Sequence, residues 1–479
     1  MQSTVERFNR IKEISVGSNY EIKRERILEG KQGHNNGWRV IEQEKILPRQ
    51  SLDLSSQRDI LSKLNAHTIR HLLPSGYPSS VHSSYASYAS YSFMASTVST
   101  ATMVLSTQSL LLAVGVGQEA AAPISATLNW IIKDGIGQFG GILFASKVSS
   151  STNSVDKDPK KWRMVSAIGM DIAVFMELMT PLFPSHFLMI ASVANIWKNI
   201  SFLTASASRA KLHQCLATQS KQSIQASDNL GDLTAKATSQ SILASILGTC
   251  MGIGFSPYLL QDTLSLFSGC ILLSGVNQLC TYQSLVKVPL RTFNRQRLMI
   301  LLDSYFCNTK RDNRDDNISP EHISKKEHFL PFSSNEGFQW LHIGCKLEKV
   351  CPKGPREFSL LHNDKEKFVL NFERYNDSKY DVYITYYEDA DDNDILRGLY
   401  QCFAIKHILD GSKDKSNSYT DLMTESYTHL SHFDNFKQDI INAGWIIDDN
   451  NSINVESKYS TRLQVDRNRN KQKLENRTH

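Results

Sequence analysis

No Asp, Glu, Lys or Arg occurs between Leu72 and Gln118, and the windows 178–197, 237–261 and 263–286 are equally free of charge. Runs of this kind, rich in Ala, Ser, Leu, Ile, Met and Gly, leave a chain few options. With helical rather than alternating texture it folds as a buried helical bundle or across a bilayer. Residues 85–290 divide into six apolar segments, at about 88–114, 120–146, 164–181, 184–208, 233–256 and 263–287. Each approaches the roughly 20 residues that cross a bilayer. The mean hydropathy of −0.31 conceals them, because the polar residues collect at the two ends of the chain.

The links between segments carry more information than the segments. Links 115–119, 181–186 and 256–262 contain no Lys or Arg. Links 147–163 and 209–232 contain Lys147, Lys157, Lys160, Lys161, Arg163, Arg209, Lys211 and Lys221. Arg58, Lys63 and Arg70 precede the first segment, and Lys287, Arg291, Arg295 and Arg297 follow the last. Positive charge thus alternates from one end of the array to the other, the pattern of six spans with both termini in the cytosol. A soluble bundle has no reason to strip Lys and Arg from every second turn.

The ends of the chain read differently. In residues 1–71, "YEIKRERILEG" and "WRVIEQEKI" flank a Gly/Asn cluster and suggest a hairpin. Residues 57–73 repeat apolar positions at helical spacing, before Pro74, Gly76 and Pro78 interrupt. The N-terminus lacks the apolar core of a secretory signal. Residues 301–327 read as a polar linker, 328–465 as an α+β domain and 466–479 as a disordered tail. Within 328–465, "FQWLHIGC", "KFVLNFERY" and "YDVYITYY" read as strands. Helices are expected over 391–411, capped by Asp392 or Asn393, and over 418–444, with "WIID" as a last strand. The expected fold class is therefore mainly α: a membrane-embedded bundle of about six apolar helices with a smaller C-terminal α+β domain. The eight cysteines form no CxxC and read as reduced packing residues of an intracellular protein.

"KDGIGQFGG" (133–141) contains GxGxxG at Gly135, Gly137 and Gly140. A dinucleotide loop needs a strand before the first glycine and a full helix after the last. Here a Lys-Asp pair abuts the first glycine and a serine loop follows too soon, although Asp156 stands near the distance of a ribose-binding acid. The better reading is a helix on which Gly135, Gly137, Gly140 and Gly141 form a smooth stripe against a neighbour. Gly115/Gly117 and Gly248/Gly252/Gly254 fit the same account.

Asn129, Lys133, Asp134, Asp171, Glu177, Asn195, Lys198, Asp232 and Lys236 stand inside the apolar segments. Ionisable groups there cost roughly 2.5–3.5 kcal/mol each on insertion scales, so they face the interior and pair. They are either glue between helices or the lining of a polar pocket for a small solute. Lys133 and Asp134 are expected to lie near Asp171 or Asp232. His67 and His71 stand four apart but lack a third ligand, and "EDADDND" lacks the glycine and spacing of a calcium loop. No metal or cofactor is expected. No GxSxG, no P-loop and no nucleophile with an identifiable base occur, so enzymatic activity is not expected either. The net charge of +5 is too weak to argue for nucleic acid.

Six blocks carry a resemblance: "LLPSGYPSSVHSSYASY" (72–88), "LNWIIKDGIGQFGGILFAS" (128–146), "DKDPKKWRM" (156–164), "MELMTPLFP" (176–184), "NLGDLTAKATSQ" (229–240) and "LRTFNRQR" (290–297). In this order they resemble the root UVB-sensitive family, over about 72–300 strongly and the C-terminal region loosely. Tyr91 stands where that family's pattern has Trp, and "SAIGMD" departs from it as well. The resemblance implies a domain of unknown function without an agreed enzymatic activity. It also implies ties to UV-B responses and auxin transport in plants, and members that act as interacting pairs.

Three functions remain. The first is a non-enzymatic membrane protein acting through protein partners, a family paralogue or a second copy, with membrane lipid around it. The second is a transporter-like six-helix unit with an intramembrane polar pocket. The third is a soluble helical enzyme.

Overall fold

The computed structural model describes residues 10–16, 23–31, 37–42, 72–113, 123–150, 155, 158–217, 229–307, 317–330, 338–376, 379–411, 418–447 and 461–463. The chain forms two compact units, Met1–Ile69 and Arg70–His479. The helix expected over 57–73 lies almost wholly outside the described residues. His67, His71, Gly115, Gly117, Asp156 and the tail 466–479 also lie outside them.

In the first unit, β1 (Arg10–Val16), β2 (Lys23–Lys31) and β3 (Gly37–Glu42) make an antiparallel sheet in that order. The expected hairpin is β2–β3, with a register shift at Ile27/Leu28, and β1 adds a strand the sequence reading did not assign.

The second unit opens with six long helices among the described residues: α1 (Tyr85–Ala113), α2 (Pro123–Ser150), α3 (Pro159–Leu178), α4 (Phe187–Ala217), α5 (Leu230–Leu259) and α6 (Thr263–Val286). Proline opens α2 and α3, where its missing N–H costs nothing. Pro181 and Pro184 confine the α3–α4 connection to two short 3-10 turns. Asp262 caps α6 by accepting from the Ser265 N–H. The stretches Pro159–Leu182, Pro184–Ala217, Leu230–Leu259 and Thr263–Val286 are long and apolar enough to cross a membrane. α1 and α2 match them in length but are diluted with Ser and Thr and, in α2, with Lys133 and Asp134.

Burial in this bundle is inverted relative to a soluble one. Large apolar side chains cover the outside: Ile131 and Ile142 on α2, Phe202 on α4, Ile246 on α5, and Leu264 and Leu272 on α6 are all more than half exposed. The inside is largely small and polar, with Thr102, Ser106 and Ser109 of α1, Ser201 and Thr204 of α4, and Ser274 and Asn277 of α6 all buried. A surface of Ile, Leu and Phe around a Ser- and Thr-rich interior suits hydrocarbon as the outer solvent, with small residues letting helices approach.

The packing has a hidden order. α1 lies between α5 and α6, α4 lies between α2 and α3, and α3 meets α6. Gly248 and Gly252 of α5 face Thr97–Thr100 and Ala101–Val104 of α1, so α5 runs parallel to α1. Gly137 and Gly141 of α2 face Asn195 and Asn199 of α4, so α2 runs parallel to α4. Tyr88 at the start of α1 packs edge-on to His213 near the end of α4, so these two oppose. Met164 shares one core cluster with Leu285, and Leu178 another with Leu266, so α3 and α6 also oppose. Exchanging α1–α2–α3 for α4–α5–α6 therefore reproduces the main contacts with every direction reversed. The contacts of α1 with α3, of α4 with α5 and of α5 with α6 depart from this symmetry.

Beyond α6, the chain builds the α+β domain from α7 (Arg295–Cys307), α8 (Pro320–Lys326), β4 (Leu341–Ile343), α9 (Leu347–Val350), α10 (Pro355–Leu361), β5 (Phe368–Asn376), β6 (Lys379–Tyr387), α11 (Asp392–Gly411), α12 (Tyr419–Leu430), α13 (Phe433–Asn442) and β7 (Arg462–Leu463). β5 and β6 are antiparallel, and β4 and β7 both pair with β6 in parallel. Leu396, Leu399 and Phe403 of α11 sit in the centre of the core. That core reaches back to Phe293 and Leu298 and takes in Ile318 and Ile323 from the expected linker. α11 is capped by Asp391, one residue earlier than expected, in a reciprocal pair: the Asp394 N–H donates to the Asp391 carboxylate and the Asp391 N–H to Asp394. The helix expected over 418–444 is two. The Ser431 hydroxyl takes the Thr428 carbonyl, the His432 N–H bonds back only three residues, and the chain turns before α13. "WIID" is not a strand: Trp445 stacks on Phe293 with ring centroids 4.8 Å apart and donates its indole N–H to the Ile318 carbonyl at 2.7 Å.

Candidate functional site

The charged residues of the helical bundle do not converge on one point. Lys133 is buried and meets Asp134 at 2.7 Å, with its ammonium over the Trp130 ring at 4.6 Å. The Asn195 amide donates to the Asp134 carboxylate at 3.1 Å and to the Lys133 carbonyl at 3.2 Å. Asn195 has this reach because Gly137 presents no side chain there. The expected neighbours Asp171 and Asp232 are absent from this group, because α2 packs chiefly on α4, whereas Asp171 is on α3 and Asp232 on α5. Asn129 is half-buried on the same helix, a turn earlier.

A second cluster joins three helices. The buried Glu177 carboxylate of α3 accepts from the Ser106 hydroxyl of α1 and from the Lys198 ammonium of α4. Lys198 also lies 3.5 Å from the Ser106 hydroxyl, and Thr180 donates to the Glu177 carbonyl at 2.6 Å. Every group in this cluster has a partner, the condition for keeping charge in a dry interior.

Asp171 belongs to neither cluster. It accepts from the Gln278 amide at 2.6 Å, at the meeting of α3 with α6. Asp232 accepts from the Ser75 N–H at 2.6 Å and so holds the segment before α1 to the start of α5. Lys236 is half-buried one turn further along α5. The glycine stripe holds in part. A side chain at Gly137 or Gly140 would collide with Asn195 or Ile196, and one at Gly141 would press Asn199 at 3.3 Å. Gly135 is removed from the packing set: nothing lies within 4 Å of a Cβ placed there. Two positions from Gly137, it lies on the opposite face of the helix.

The sequence reading missed a cavity. Between α1, α3, α4 and α5, with Asn277 of α6 reaching in, a space of about 150 Å³ is lined by Ser96, Ser99, Ser166, Ser201, Ser245, Asn277 and two arginines, Arg163 and Arg209. A smaller extension reaches Tyr85, Tyr88, His213 and Gln240. Beside it, a groove of about 440 Å³ along α5 is lined by Ser241, Ser245 and Thr249 together with Arg209 of α4. No carboxylate lines these spaces among the described residues. The signal was in the sequence as four-residue spacing: Ser241, Ser245 and Thr249 on α5, and Ser201, Ala205 and Arg209 on α4, each share one helix face. By sequence both arginines fall in the links 147–163 and 209–232, outside the apolar segments.

A third buried set lies at the base of the bundle. Lys160, at the start of α3, donates to Glu327 at 2.9 Å and to the Ser324 hydroxyl at 2.7 Å, and Arg297 of α7 donates to Glu327 at 3.1 Å. All three charges are buried. Burial raises the Glu327 pKa, but the cations of Lys160 and Arg297 outweigh it and hold the carboxyl below its ordinary value.

These features define a helical domain with inverted halves and four stretches long and apolar enough to cross a membrane, joined through buried ion pairs to an α+β domain. Residues 58–309 match the family described as the vitamin B6 photo-protection and homoeostasis domain. The chain belongs to this family, the root UVB-sensitive proteins. It is similar to protein root UVB sensitive 3 of Arabidopsis thaliana, 26% identical over 430 residues, covering 85% of this chain and 90% of that one. It is similar to protein root UVB sensitive 6 of the same plant, 26% identical over 366 residues and 76% and 68% of the two chains. RUS family member 1 of Dictyostelium discoideum is 32% identical over 267 residues, 55% of this chain and 47% of the relative. No solved structure matches.

Proposed function

We propose that the helical domain is a membrane-embedded, transporter-like unit for a small polar solute, and that it is not an enzyme. The observation that carries this reading is the pair of inverted halves, with apolar side chains outward and a polar cavity inward. Inverted repeats place a solute site where the halves meet and let one half rock against the other. α1 and α2 cross together with the four more apolar helices on this reading, because α1 is enclosed by α5 and α6. The family's description names vitamin B6 homoeostasis, and the B6 vitamers are small polar solutes that a 150 Å³ cavity with an adjoining groove suits in size. Acting through protein partners alone would use the soluble ends but leave the polar interior without a role.

The test is uptake. Purified protein in sealed phosphatidylcholine vesicles should accumulate radiolabelled pyridoxine or pyridoxine 5′-phosphate above empty vesicles, with saturation. Release of the protein from cell membranes by carbonate, or uptake equal to that of empty vesicles for both compounds, would overturn the proposal.

A further inference from the structure

The buried lysines and arginines among the described residues of unit Arg70–His479 follow one rule. Lys133, Lys160, Lys198 and Arg297 each meet a carboxylate within 4 Å. Arg163 and Arg209, both half-buried, have no such partner. They line the same cavity, close enough to repel one another. Among the described residues neither contacts a carboxylate, and Arg163 donates to the Ser166 hydroxyl at 3.2 Å. Serine hydroxyls and the Asn277 amide share the remaining wall with apolar side chains, Met103, Met170 and Phe202 among them. Two adjacent guanidiniums with hydroxyl donors and no counter-charge form the donor set of an anion site. Guanidinium prefers the planar, two-point contact that a phosphate or carboxylate offers.

We infer that Arg163 and Arg209 bind a phosphate-bearing anion in the cavity between α1, α3, α4 and α5. The anion supplies the negative charge that carboxylates supply elsewhere in the bundle. Phosphate fits better than carboxylate because its oxygens can serve both guanidiniums and the serine hydroxyls at once. The inference deepens the transporter-like reading and rests on it for the site's role. Two sources share this chemistry. A soluble phosphate ester would enter from the end of the bundle that carries Tyr85 and His213. A lipid headgroup would enter sideways through the groove along α5, whose rim bears Ile242 and Ile246, both exposed on the outer apolar surface.

The experiment uses the full chain in phosphatidylcholine nanodiscs. Pyridoxine 5′-phosphate and inorganic phosphate are titrated calorimetrically, with pyridoxine as the phosphate-free control. In parallel, melting is compared between nanodiscs with and without phosphatidic acid. Arg163→Gln and Arg209→Gln should each weaken binding roughly tenfold or more. Arg163→Lys/Arg209→Lys keeps both charges but loses the two-point fork, so it should bind measurably more weakly than wild type while folding normally. It serves if either glutamine variant fails to fold. Thr249→Leu narrows the groove without touching the arginines: it should abolish a phosphatidic acid effect and leave soluble phosphate binding intact. Saturable binding of soluble phosphate, lost in the arginine variants, supports the site with a soluble source. Stabilisation by phosphatidic acid alone, lost in the same variants, supports it with a lipid source. Absence of both responses in wild type, or either response unchanged in every arginine variant, overturns it. Phosphate binding without vesicle uptake would leave the site standing and remove the transport reading. Uptake without phosphate binding would do the reverse.

Discussion

Glu327 is the residue on which the junction of the two domains turns. Its carboxylate takes Lys160 from α3 and Arg297 from α7, so one buried anion serves two buried cations. Glu327→Gln would leave both cations facing a neutral amide. Breaking a buried pair costs about 3–5 kcal/mol, and the melting temperature of the variant should fall accordingly. The pH dependence follows from the lowered pKa. A carboxyl that ionises more easily folded than unfolded stabilises fully above its unfolded value, 4.5, and loses that contribution as pH falls through the lower folded value. Wild type should therefore lose stability below about pH 4.5, and Glu327→Gln should lack that component when melts are compared from pH 3 to 7. An identical acid limb in both proteins would refute this. Glu327 was not legible, since it falls in the expected polar linker 301–327 and Lys160 in the charged link 147–163. Burial of such segments comes from tertiary contact that no local pattern records. That Glu177 and Lys198 would each need a partner was legible, because a charge inside an apolar run must find one whatever the fold, but which partner was not.

At the scale of elements, glycine decides how closely helices meet. A Cβ at Gly248 would strike the Thr97 carbonyl oxygen and lie 2.7 Å from the Thr100 Cβ, and backbone cannot swing aside as a side chain can. Gly140 meets the Ile196 side chain at 2.8 Å, Gly141 meets Asn199 at 3.3 Å, and Gly135 meets nothing. Leucine substitutions should rank in that order. Gly248→Leu should be the most damaging, beyond the about 1–3 kcal/mol typical of overpacking, followed by Gly140→Leu and Gly141→Leu, with Gly135→Leu near neutral. The yield of monodisperse protein in detergent and its melting temperature would check the ranking. A Gly135→Leu variant as damaged as Gly248→Leu would contradict the packing. Spacing alone identified a glycine-bearing helix and dismissed a dinucleotide loop, since α2 is one continuous helix through "KDGIGQFGG". It did not separate Gly135 from Gly137, because a helix apolar all round carries no mark of which face its neighbour takes. The same blindness hid the break between α12 and α13, where one serine hydroxyl competes for a helix carbonyl.

At the scale of the whole molecule, the alternation of Lys and Arg was legible and the inverted repeat was not. The first is a property of the chain, whereas the second exists only in which helices touch and in which direction they run. The two now constrain each other. The starts of α1, α3 and α5 and the ends of α4 and α6 contribute Tyr85, Met164, Leu233, Leu216 and Leu285 to one core cluster, so they share one end of the bundle. That is the end whose links hold the positive charge. Four helical stretches are apolar enough to cross a membrane. α1 lies between two helices of that set, α5 and α6, and meets α5 along Gly248 and Gly252, so it crosses if they do. α2 must then return to the charged side. Single cysteines at Ser150, Gln222 and Ser416 in a cysteine-free background should therefore react alike with an impermeant reagent in sealed membranes, because Lys and Arg in short links hold that side in the cytosol. Cysteines at Gln118 and Gln261 should behave oppositely. If only the four more apolar stretches cross, Gln118 would label with Ser150 while Gln261 stayed opposite, and α1 would have to leave its place between α5 and α6. If all five positions label alike, no helix crosses, and the exposed Ile, Leu and Phe side chains must be covered by protein instead of lipid. The α+β domain would survive either result, because α11 and the β5–β6 pair close their own core without reference to a bilayer.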